Sequence, residues 1–134
     1  ISALAEQGKV TEAIQKYSGL ADIGVPIAMH YEGALIYSQN PTPSDKMRAV
    51  SLLKRASRFG RTLSQWTLAD IYLHGNGAPQ DKAVAYKWAN IAAATGLQSV
   101  VQYRNQIKSL LSDSEIAEGV SLSRDFSPEK VKLR

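Results

Sequence analysis

His30 and His74 are the only histidines, and with twelve carboxylates they are the residues best suited to hold a metal or move a proton. They stand 44 residues apart, and neither has a second histidine or a carboxylate pair beside it at ligand spacing. Both read as ordinary polar or partly packed side chains, so no metal is expected. Asp45 and Asp81 are the most tempting carboxylate pair, but each precedes a helical pattern and reads as a helix cap. Gly75-Asn76-Gly77 follows a helix rather than a strand and lacks the Lys-Ser/Thr of a phosphate loop. No serine has a recognisable base and orienting group. Cysteine is absent, which excludes disulfides, thiolate metal sites and cysteine nucleophiles. An enzyme is not expected, nor a cofactor.

What remains is binding chemistry. The formal net charge is +4, and Lys46, Arg48, Lys54, Arg55, Arg58 and Arg61 form one run without an intervening acid. Lys54, Arg58 and Arg61 have the i, i+4, i+7 spacing of one helix face. Such a face can hold an acidic protein surface, lipid headgroups or an anionic polymer. It can equally be a solvated outer surface. Nucleic acid is disfavoured, because the formal net charge is only +4. No run approaches the roughly 18 apolar residues of a membrane span.

The elements that must position these residues are clearest over 62–96. Leu63, Leu68, Ala69 and Tyr72 share one helical face; Gly75, Gly77 and Pro79 then break the helix. A second helix buries Ala85, Trp88, Ala89, Ala92 and Ala93 and stops at Gly96. This αα-hairpin recurs. Gly24, Gly60 and Gly96 are 36 residues apart, as are Ala13, Ala49 and Ala85, and Leu20, Ala56 and Ala92. Tyr37 and Tyr72 follow at 35, the slip falling in the turn. Several columns in register predict a helical solenoid. In chain order, a helix should end near Gly8, with Leu4 inward, and another span Thr11–Ile23. Pro26 should start a third, and Asn40, Pro41 and Pro43 form a loop before the helix of residues 45–59. Val100, Tyr103, Ile107 and Leu111 face inward on the next helix. Ser112 and Glu115 have capping-box spacing for a last one, Asp113–Arg124.

The stretch 62–96 resembles the Sel-one-like repeat, a branch of the tetratricopeptide superfamily. The likeness rests on Leu68, Tyr72, Gly75, Gly77, Asp81, Ala85, Trp88, Ala92, Ala93 and Gly96. It is weaker over 27–60, where the Gly-x-Gly turn and the tryptophan are missing. The resemblance implies an all-α, right-handed α/α superhelix of about eight antiparallel helices. The domain would span 1–126, with hairpins 1–24, 27–60, 62–96 and 97–125 and a loosely ordered tail, 127–134. It also implies a bacterial scaffold or adaptor, with the cell envelope or periplasm favoured as its compartment and the cytoplasm as the alternative. A cysteine-rich branch linked to β-lactams does not carry over to a chain without cysteine. Because the chain opens at Ile1 in a helical pattern, it is expected to be a piece of something longer.

In that superfamily the first helix of each pair lines the concave groove. By register the groove positions are Leu63, Trp66, Asp70, Leu73 and His74; Ala28, Tyr31, Leu35, Ser38 and Gln39; and Ser99, Gln102, Gln106 and Ser109. Tyr31 and Trp66 would form an aromatic ledge beside Asp70, suited to a protein or peptide partner. Alternatively, Trp66 packs between neighbouring pairs.

Overall fold

The computed structural model describes residues 3–39 and 41–133, with side chains from residue 6 onward. The side chain of Leu4, expected inward, and Asn40, expected in the loop, lie outside what is described. Seven helices follow one another among them, without a strand: α1 Ala3–Asp22, α2 Pro26–Ser38, α3 Pro43–Arg58, α4 Thr62–His74, α5 Lys82–Ala93, α6 Gln98–Lys108 and α7 Asp113–Arg124. The count falls one short of eight because Gly8 does not turn the chain. Residues 3–22 form one continuous helix, so there is no hairpin at 1–24 among the described residues. Nothing stands within 4 Å of where a Cβ on Gly8 or Gly19 would lie, so no contact demands a glycine there. A mid-helix glycine costs only about 1 kcal/mol relative to alanine, too little to end a helix otherwise favoured.

The helix boundaries follow local chemistry. Prolines open α2 and α3, where a missing N–H leaves no bond unmade. Thr42, rather than Asp45, caps α3: its hydroxyl accepts from the Asp45 N–H at 3.2 Å, and Asp45 sits in the first turn. Asp81 caps α5, accepting from Val84 N at 3.1 Å. Ser112 and Glu115 form a reciprocal capping box on α7, at 3.2 and 2.8 Å. Gly24, Gly60 and Gly96 have φ of 100°, 91° and 79°, so each repeat ends in the left-handed turn that glycine adopts most cheaply.

Each helix from α1 to α5 packs on its successor. Met29, Ala49, Leu52 and Ala56 fill the first interface layer, and Leu53, Leu68, Ala85, Ala89 and Ile107 the second. Leu68 is fully buried, a contribution of about 1.5–3 kcal/mol for a side chain of that size. The last pair departs from a simple hairpin. Helix α7 packs chiefly on α5, because Gly119 brings its backbone against Tyr86 and Ala83. A Cβ on Gly119 would stand 2.8 Å from Tyr86 Cδ2 and 2.9 Å from Ala83 O. The expected tail, described over 127–133, is exposed and without regular structure, but it touches the repeats at two points. Phe126 packs into the core edge-on to Trp88, and the extended chain beyond it runs back toward α3 and α1.

Candidate partner-binding site

Helix α4 carries the candidate surface. Its inner side buries Ser64, Gln65, Leu68, Ala69 and Ile71, which leaves Leu63, Trp66, Thr67 and Asp70 along the opposite side, lining one hollow. Leu63 is 56% exposed, a large apolar area open to solvent at the first turn of the helix. Trp66 is half-buried: one side rests on the cluster of Ala92, Ala93 and Val100, and its ring meets Tyr103 of α6 at 5.4 Å between centroids. Both readings of Trp66 therefore describe part of its surroundings, since the ring packs between repeats and also borders the hollow.

Tyr103 is the residue that register alone misses. Its hydroxyl donates to Asp70 Oδ1 at 2.7 Å, and His74 Nε2 lies 3.4 Å from the same oxygen. Burial, then the bond to Asp70, pushes the Tyr103 phenol well above its ordinary range, so it remains a donor. The ring thus braces Trp66 while its hydroxyl fixes the Asp70 carboxylate. Tyr103 packs against the core, as its place on the inward face of the pattern predicts, and also reaches this surface through its hydroxyl; the signal for that second role is its half-polar chemistry beside Trp66.

The expected ledge is divided. Tyr31 is exposed but stacks on Tyr17 of α1 at 5.4 Å, whereas Trp66 pairs with Tyr103. Between them, His30 Nδ1 and Ser64 Oγ are 2.7 Å apart and join α2 to α4. Burial and the nearby Arg61 charge hold His30 below its ordinary pKa, favouring the neutral ring. Leu35 is half-buried, and Ser38, Gln39, Ser99, Gln102, Gln106 and Ser109 are exposed. Ala28 and Leu73, expected in the groove, are buried in the core instead. The helices turn slightly off the register, so residues at the edges of the predicted stripe face inward.

The basic run does not form one face. Helix α3 stops at Arg58, Gly60 turns the chain, and Arg61 becomes the cap residue of α4, so Arg61 does not continue the row of Lys54 and Arg58. Arg48 pairs with buried Glu32 at 2.9 Å, Lys46 donates to Asn76 Oδ1 at 2.9 Å, and Lys54 lies over the Tyr72 ring. Desolvation raises the Glu32 pKa despite the opposing Arg48 charge. Among the described residues no group of three potential metal ligands occurs, and no helix is long and apolar enough to cross a membrane.

Comparison by sequence finds neither a matching family model nor a matching curated protein. By structure, the chain is similar to c5321, a protective antigen present in uropathogenic Escherichia coli strains, whose crystal structure displays an SLR fold. The TM-score is 0.77 at 20% identity, over 84% of this chain and 24% of that one. The chain thus spans about a quarter of that structure's length. It has the Sel-one-like repeat fold, an all-helical solenoid.

Proposed function

We propose that this repeat scaffold is a non-catalytic binding module whose ligand is a peptide or protein segment lying across α4 and its neighbours. The observation that carries the reading is the hollow of Leu63, Trp66, Thr67 and Asp70, braced from α6 by Tyr103. An exposed leucine beside a ring already held by its neighbour offers apolar contact area at little entropic cost. Asp70, with Oδ1 engaged by Tyr103 and His74, directs its negative charge to the same hollow and favours a Lys or Arg next to an apolar anchor. Exposed Gln102 and Gln106 on α6 are the proposed polar flank, and Tyr31, stacked on Tyr17, forms with Leu35 on α2 a separate part of the proposed surface. An adaptor role in an envelope or periplasmic assembly is consistent with this binding mode.

The test is selection of a randomised peptide library on the intact chain. Enriched peptides should pair an apolar or aromatic residue with a basic one and lose retention on a Leu63→Asp chain. Peptides retained equally by both chains would contradict the reading. A steep loss with salt that is unchanged by Leu63→Asp but abolished by Arg58→Ala would point instead to an anion-binding surface on α3.

A further inference from the structure

The residues after α7 trace a second surface, independent of the α4 hollow. Phe126 packs against the core with its ring edge-on to Trp88 at 5.8 Å. Pro128 then covers Gly60, lying 3.6 Å from where a Cβ would stand there. The next residue, Glu129, donates its N–H to the Arg58 carbonyl at 2.8 Å, a group that the end of α3 leaves without a helical partner. Four residues beyond Pro128, the Lys132 carbonyl reaches Gly24, at only 2.9 Å from the Cβ position. Gly24 and Gly60 are equivalent glycines of successive repeats, so one extended segment meets the same feature twice. The α3 end supplies a glycine and an open carbonyl, and the α1 end a glycine against which the Lys132 backbone lies; the segment supplies an aromatic anchor, a proline and an N–H. Val131 and Leu133 remain 51% and 64% exposed, so the segment is held by its backbone and by Phe126 rather than by burial along its length.

We propose that the ends of α1 and α3, with the Trp88 face of α5, form a track for a peptide, that residues 126–133 are its resident occupant, and that a partner segment of the same chemistry can replace them. That chemistry is an aromatic residue, a proline two positions later and a free N–H immediately after it. A tethered occupant acts at an effective concentration on the order of millimolar. Partner binding is therefore masked until the resident segment lets go.

The probe is a fluorescein-labelled peptide of residues 125–133, titrated into the full chain and into two full-length variants. Phe126→Ala removes the anchor, and Glu129→Pro removes the N–H while keeping the anchor. Both variants should bind the peptide at least about ten-fold more tightly than the intact chain, and a peptide carrying Phe126→Ala should fail on all three. Should Phe126→Ala lose its helical circular dichroism, Glu129→Pro decides alone. No binding to a folded variant, or equal binding to variant and intact chain, overturns the proposal. A dimer of the intact chain that dissociates in Glu129→Pro also overturns it, because the occupant in trans would then be a second copy.

Discussion

His30 sits where two repeats meet, bonded to Ser64 and close to the positive Arg61, with its pKa held below 6.5. The unfolded chain therefore binds a proton more readily than the folded one. As pH falls through about 6.5, the histidine's contribution weakens, and it levels off only below the depressed folded value. Thermal melts at pH 7.5 and 5.5 should show a lower midpoint at the acidic pH, with a smaller drop for His30→Gln. An identical drop in both proteins would remove His30 as the cause. Tyr103 offers a second test at this scale. Tyr103→Phe keeps the ring against Trp66 but frees Asp70, so affinity for a basic peptide should fall by a few-fold, as expected for one charge-assisted hydrogen bond, while the melting temperature stays nearly constant. Equal affinity in the two chains would show that the orientation of Asp70 is immaterial.

Between elements, small residues set the distances. Ala92 is fully buried and Gly119 touches Tyr86, so neither interface has room for added carbon. Ala92→Leu and Gly119→Ala should each destabilise by about 1–3 kcal/mol in denaturant titrations, the usual cost of overpacking. An unchanged midpoint for either would refute that contact. Ser112→Ala should cost about 1 kcal/mol by unmaking the α7 cap. These elements were largely legible in the sequence, because glycine stops, prolines and alanine columns act through the local backbone and repeat with the chain. The start of α7 follows from Ser112 and Glu115. Gly8 misled because a glycine is only weakly helix-breaking when nothing beside it requires a turn. Asp45 misled because Thr42 and Pro43 set the start three residues earlier. The position of α7 on α5 was not legible, since it depends on Gly119 meeting a tyrosine 33 residues earlier in sequence.

At the scale of the molecule, a solenoid keeps its repeats in line and can offer the two proposed surfaces. One is made of side chains on α4 and its neighbours; the other of backbone at the repeat ends. Register mapping found the first in part: Leu63, Trp66, Asp70 and His74 lie on the exposed side, but Tyr31 pairs with Tyr17 instead of extending Trp66. The partner of Trp66, Tyr103, comes from a helix where the repeat pattern has decayed, so no column pointed to it. The second surface had no signature at all, because FSPEKVKL is polar and irregular until the glycines it meets are known.

On the proposed reading, α4 presents a ligand surface rather than a packing surface alone. The most direct measurement is the affinity of a library-selected peptide for the intact chain and for Trp66→Ala, by fluorescence anisotropy, with a thermal melt of each protein. Loss of an aromatic hot spot worth about 2 kcal/mol predicts an affinity roughly 30-fold weaker. That loss should exceed anything the change in melting temperature explains. Full affinity in Trp66→Ala, or a loss seen only where the variant is partly unfolded, would contradict it.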